Sequence, residues 1–205
     1  MLFTKYRHAV RWPLHRLPRP LRIAVDWLAT IGIAGALVLV LETEVAKPYR
    51  IPSSSMEPTL HCAAPAPGCL GKSSDHVLAA RIVYDFRSPA RGDVVVFAAP
   101  PKAKTQCTEG GTFVKRIIGL PGEIVSEDRG VVYVDGKKLI ESYVDPSRRG
   151  RLTKTWPRVP AHQYFVMGDN RAASCDSREW GTVPRGNLVG PVVGLYWPFG
   201  RVGFR

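Results

Sequence analysis

From Trp27 to Leu41 the chain reads Trp-Leu-Ala-Thr-Ile-Gly-Ile-Ala-Gly-Ala-Leu-Val-Leu-Val-Leu, with no charged side chain. Nothing else in the sequence restricts the fold as strongly, because so apolar a run has to be kept out of water. At ~1.5 Å per residue a helix over this run spans roughly 22 Å, short of the ~30 Å hydrocarbon core of a bilayer. Started at Ile23 it reaches about 28 Å and leaves Asp26 and Trp27 at the interface. Ahead of it stand Lys5, Arg7, Arg11, Arg16, Arg19 and Arg22, with no acidic residue before Asp26. The positive-inside rule keeps such a start in the cytoplasm. The sequence therefore predicts a basic cytoplasmic arm over 1–22, a single membrane-spanning anchor over 23–41 and an extracytoplasmic domain over 42–205.

A cleaved signal peptide has the same basic start and apolar middle. Cleavage needs small residues at the first and third positions before the cut, just beyond the apolar run. Glu44-Val45-Ala46 offers a glutamate there, and Ala34-Gly35-Ala36 lies inside the run. An uncleaved anchor is the better reading. The formal charge of +12 also raises nucleic acid as a partner. Much of that excess sits in the arm, and no helix-turn-helix, zinc-finger or RNP pattern is present, so none is expected. The remaining positive charge suits anionic lipid headgroups.

The four cysteines, Cys62, Cys69, Cys107 and Cys175, all fall outside the membrane in this topology, where disulfides are the default. Cys62 and Cys69 flank a loop-forming Ala-Ala-Pro-Ala-Pro-Gly segment. Of the three pairings four cysteines allow, 62–69 with 107–175 is preferred. His61-Cys62 and Cys69…His76 could instead hold a metal, but the spacings match no common zinc pattern. Neither metal nor cofactor is expected.

Beyond residue 77, short apolar runs alternate with turn signals. Val77–Tyr84, Asp93–Phe97, Phe113–Ile118, Glu123–Ser126, Val131–Val134, Lys137–Ile140, Tyr164–Met167 and Leu188–Leu195 read as strands. Pro121-Gly122 fits a type II turn, and Asp135-Gly136 is a strong hairpin signal. No helical period of useful length follows Leu41. The predicted fold is mainly β, an antiparallel, barrel-like sheet domain on a single N-terminal transmembrane helix. Arg91-Gly92-Asp93 spells an adhesion tripeptide but reads more simply as the turn opening a buried strand.

Three segments could carry chemistry. In Ile51-Pro52-Ser53-Ser54-Ser55-Met56-Glu57-Pro58-Thr59-Leu60 the prolines fix φ and bar helix, so three hydroxyls are held on a stiff segment. A Ser/Pro-rich juxtamembrane linker reads the same way. No G-x-S-x-G, S-x-x-K or H-E-x-x-H pattern is present, and His61, His76 and His162 lie in segments unlike a site. Lys115 is out of place among Phe113, Val114, Ile117 and Ile118, and in a strand it and Arg116 point to opposite faces. Either the strand is a charged edge, or a buried lysine is held neutral. At the ordinary pKa of ~10.4 under roughly one amine in a thousand is neutral at pH 7. Lowering it by about two to three units costs about 3–4 kcal/mol. In Met167–Gly181, Asp169, Arg171, Asp176 and Arg178 could form a buried ion-pair network or a solvated loop. Trp180 argues for packing.

Together these segments resemble the bacterial type I signal peptidases. The matching stretches are Ile51–Leu60, Arg91–Phe97, Phe113–Glu123 and Gly168–Gly181, in family order after a membrane anchor. The resemblance implies a membrane-bound serine endopeptidase that removes signal peptides from exported preproteins after small residues (Ala-x-Ala type). It makes Ser55 the nucleophile, Lys115 the general base and Ser174 the hydroxyl orienting the amine. Ser53 and the Ser55 N–H would form the oxyanion hole. Arg116, Asp169, Asp176 and Arg178 become structural residues near the site, and Tyr49, Ile51, Leu60, Phe113 and Val114 line the substrate pockets. Departures from the family pattern at Ala172-Ala173, Glu123 and Cys175 touch no catalytic group. The expected partners are signal peptides and membrane lipid, with the protein a monomer. A self-cleaving Ser/Lys repressor relative would carry a DNA-binding module where this chain has its apolar run. A silent, tethered binding domain would not need Ser55, Lys115 and Ser174 together.

Overall fold

The computed structural model describes residues 18–40, 45–107 and 110–204. The basic arm up to residue 17, with Lys5, Arg7, Arg11 and Arg16, and the last anchor residue, Leu41, lie outside them. The chain divides into two units, Met1–Thr43 and Glu44–Arg205. In the first, helix α1 runs Arg19–Val40. It begins ahead of Ile23 because Pro20 sits in the first turn, where an amide hydrogen has no intrahelical partner to lose. By length and composition Arg19–Leu39 is able to cross a membrane.

The second unit is built from strands β1 (Ala46–Arg50), β2 (His76–Ala80), β3 (Val94–Ala98), β4 (Thr112–Gly119), β5 (Val125–Asp128), β6 (Val131–Val134), β7 (Lys137–Lys138), β8 (Lys154–Thr155), β9 (Gln163–Met167), β10 (Val183–Pro184), β11 (Leu188–Trp197) and β12 (Gly203–Phe204). Short helices α2 (Val83–Phe86), α3 (Pro101–Gln106) and α4 (Ser177–Trp180) interrupt them. Each is too short to show a 3.6-residue period in the sequence. The run expected as a strand to Tyr84 ends at Ala80, and α2 turns Tyr84 inward to donate to Asp93 Oδ2 at 3.1 Å.

The larger sheet is ordered β1-β2-β11-β3-β4-β9-β10, with β12 on β11, and the smaller β7-β6-β5-β8. All the strand pairs are antiparallel. The barrel-like closure expected from the sequence does not occur: β1 and β10 stay as open edges. Pro48 in β1 and Pro184 in β10 lack the amide hydrogen that a further ladder would need. β4, whose lysine and arginine could have marked an edge, is interior between β3 and β9. The β6–β7 turn places Asp135 at φ 47° and Gly136 at φ 75°, the pair of positive values a type I′ hairpin requires.

Alternation along β3 and β4 divides the core. Val95, Phe97 and Ile117 pack with Tyr164, Val166, Trp180 and Val183, while Val96 packs with Ile51, Met56, Leu60 and Val77. A third cluster, with Ile118, Val125, Val132, Trp156 and Phe165, joins the smaller sheet to the larger. At ~25 cal/mol per Å² of apolar surface removed from water, these contacts are the main force holding the strands in register.

Candidate active site

The serine run folds as a single 3₁₀ turn, Ser54–Met56, entered through extended Ser53 (φ −127°, ψ 159°). Pro52 and Pro58 bracket it, so the chain cannot extend the turn into a helix in either direction. Met56 is the apolar anchor of the turn in the core. The adjacent Ser55 is thereby drawn down to 9 % exposure. Its side chain meets Lys115, which arrives from the middle of β4 opposite Val95 and is 5 % exposed. Lys115 Nζ donates to Ser55 Oγ at 2.6 Å, and Ser53 Oγ lies 3.3 Å from Ser55 Oγ. A buried amine on a buried hydroxyl is the pairing that can move a proton from one to the other.

The loop after β9 clamps this turn from behind. Asn170 N donates to Ser55 O at 3.1 Å and Asn170 Nδ2 to Ser54 O at 3.0 Å. Gly168 makes the approach possible: a Cβ there would collide with Ser55 O and the Ser174 side chain. The orienting bond expected from Ser174 to the lysine amine is not formed. Ser174 Oγ is buried against Gly168 without a hydrogen-bond partner, while its carbonyl accepts from Arg178 Nη2 at 3.2 Å.

Asp169, Arg171, Asp176 and Arg178 are buried and form three ion pairs that bridging contacts join into a network. Asp169 receives Arg116 Nε at 2.9 Å and Nη2 at 2.6 Å, and Thr59 Oγ1 at 2.5 Å. Arg171 pairs bidentately with Glu141, both of them buried. Arg178 meets Asp176 at 2.8 and 3.0 Å, and Asp176 also takes Gly168 N at 3.0 Å. Bridges join the pairs. The Arg116 guanidinium lies 3.9 Å from the Tyr143 ring centroid, Tyr143 Oη donates to Glu141 at 3.0 Å, and Arg178 donates to Arg171 O at 2.7 Å. Burial alone would raise the Asp176 carboxyl; the Arg178 charge and hydrogen bonds, with the Gly168 N–H, outweigh it and hold it below its ordinary value. Glu127 goes the other way. Burial raises it against the pull of Arg178 and Arg171, and its carboxyl oxygens have no hydrogen-bond partner.

A cleft of about 560 Å³ opens over the Ser55–Lys115 pair. Tyr49, Ile51, Phe113 and Val114 line it, as do Ser53 and Met56. Leu60 does not. Its amide bonds to Met56 O at 2.9 Å, which turns the residue into the core against Ile51 and Val77. Both disulfides touch the site's surroundings. Cys62–Cys69 closes the loop behind the serine turn, and Cys107–Cys175 joins α3 to the clamping loop. Among the described residues no group of three or more His, Cys, Asp or Glu is placed to hold a metal.

Sequence reasoning missed three supports. Buried Glu57 accepts from Cys62 N at 3.1 Å and Leu70 N at 2.9 Å and contacts His61 Nδ1. Asn170 could have been suspected from its place beside Asp169. Glu141 had no signal, since its partner stands thirty residues away in sequence.

Residues 24–197 match the family model described as signal peptidase, peptidase S26. The chain is 37 % identical over 182 residues to a signal peptidase I of Leptolyngbya laminosa, covering 87 % of this chain and 82 % of the relative. It is 41 % identical over 174 residues to a probable signal peptidase I-2 of Synechocystis, covering 85 % and 73 %. It also resembles a solved signal peptidase I from Enterococcus faecalis V583, with 31 % identity, a TM-score of 0.44 and coverage of 52 % of this chain and 97 % of that one.

Proposed function

We propose that this chain, which belongs to the signal peptidase family, peptidase S26, removes signal peptides from exported preproteins by a Ser/Lys mechanism. Ser55 Oγ attacks the scissile carbonyl while the neutral amine of Lys115 accepts its proton. The ammonium so formed returns the proton to the leaving amine, and an acyl-enzyme on Ser55 remains. Water, deprotonated by the same amine, then releases the new C-terminus. Ser53 Oγ and the Ser55 N–H stabilise the oxyanion, and loss of one such donor costs ~2.7–4 kcal/mol in comparable sites.

The substrate enters extended, with small side chains at alternate positions facing Tyr49, Ile51, Phe113 and Val114. Shallow apolar pockets there restrict cleavage to small residues of the Ala-x-Ala kind. The N-terminal helix anchors the enzyme with its basic arm in the cytoplasm and its peptidase domain, residues 42–205, outside. Anionic headgroups attract the basic surface, and the enzyme works as a monomer. Confinement to one membrane surface raises the encounter rate with substrates held in the same bilayer.

The observation that carries this reading is the 2.6 Å contact of the buried Lys115 amine with Ser55 Oγ. A model preprotein with an Ala-x-Ala site tests it. Wild type is expected to cut after the second alanine, and Ser55→Ala to leave the preprotein intact with an unchanged circular dichroism spectrum. Cleavage at that site by Ser55→Ala would refute the assignment.

A further inference from the structure

The geometry points to the Cys107–Cys175 disulfide as a specificity-determining wall of the substrate cleft, an assignment that rests on the cleavage reaction proposed above. Both half-cystines line the same cleft as Ser55, Lys115, Phe113 and Ala173. Neither sulfur-bearing residue is wholly buried, so the bond presents itself to whatever occupies the cleft. A cystine is bulky and apolar, and unlike a free side chain it cannot swing aside to admit a larger group.

The two ends of the bond are held very differently. Cys175 sits between Ser174, whose carbonyl Arg178 fixes at 3.2 Å, and Asp176, which is fully buried in its ion pair. That end is rigid. Cys107 closes α3 in the excursion between β3 and β4, with its amide on Ala103 O at 2.9 Å. Of the six residues of α3 only Ala103 is buried, packing into the same core cluster as Trp180. The bond spans 68 residues of sequence and transfers the rigidity of the clamping loop to the far rim of the cleft. Without it the rim is free to retreat and the cleft to admit larger side chains. Wall rigidity matters because each methylene admitted or refused shifts discrimination by about tenfold or more.

Pairs of preproteins differing only in Ala or Leu, one pair for each of the two alternate positions before the cut, give the readout, the ratio of kcat/KM values within a pair. In Cys107→Ala/Cys175→Ala the preference for Ala is expected to fall about tenfold at one of the two positions. Wild type treated with a phosphine reductant should show the same fall, and the double variant no further change. The reductant arm, repeated on Cys62→Ala/Cys69→Ala so that Cys107–Cys175 is the bond reduced, stands even if the double variant folds poorly. A change below about threefold at both positions, in variant and reduced wild type alike, overturns the assignment. Failure of oxidised wild type to cut any of the preproteins is a different result; it would sink the reaction itself and the inference with it.

Discussion

Lys115 and Arg116 are consecutive residues of one interior strand, yet they serve opposite faces of it. Lys115 carries its amine to a hydroxyl at the floor of a cleft, whereas Arg116 meets the Asp169 carboxylate with two bonds and stacks on Tyr143. The contrast follows from chemistry. A guanidinium keeps its charge at every working pH and matches a carboxylate fork, which makes it suited to fixed architecture. An amine can lose its proton when desolvated, which makes it suited to exchange one. Strand alternation separates the two tasks at no greater distance than one residue.

Breaking the reactive half should have the largest effect. Lys115→Arg retains a cation and much of the packing but cannot accept a proton from Ser55. Its kcat/KM on a model preprotein is expected to fall about 10⁴-fold with little change in the urea midpoint. A rate within about tenfold of wild type would erase the distinction between the two cations. Breaking the architectural half should move stability instead. Arg116→Ala leaves Asp169 buried and unpaired, at a cost of about 3–5 kcal/mol in urea unfolding. Activity per folded molecule should survive far better than in Lys115→Arg.

The smallest effect sharpens the comparison within the ion-pair region. Burial raises Glu127 above its unfolded value, so the folded state holds an extra proton between the two pKa values. Its contribution is therefore complete below the unfolded pKa and lost as pH rises through the folded one. Asp176 is held low, so its contribution is present above the unfolded pKa and lost as pH falls through the folded one. Glu127→Gln should accordingly melt above wild type at neutral pH, by of the order of 1 kcal/mol, with the gap closing on acidification. A gap that widens in acid would reverse the sign assigned to Glu127.

The sequence was most readable where one residue type was misplaced for its setting. Lys115 among apolar strand residues and three serines between prolines were visible without a structure, and so was the Asp135-Gly136 turn. Pairings across long separations were not. Glu141 reaches Arg171 over thirty residues and Asp169 reaches Arg116 over fifty-three. No local pattern marks such partners, because a buried ion pair is chosen by tertiary geometry. Sheet openness was likewise hidden: Pro48 and Pro184 each cancel a donor, but only the strand order shows that both stand at edges.

The sixty-residue separation between Ser55 and Lys115 has a consequence for biogenesis. On the topology proposed, in which the chain is threaded outward from its anchor, the serine turn emerges long before the strand that supplies the amine. Even then the clamping loop, with Asn170, has yet to follow. On the mechanism proposed, a half-emerged copy is chemically silent. The enzyme becomes a hydrolase only when β3, β4 and β9 have paired, so completion of its own sheet acts as the safety catch on its reactivity.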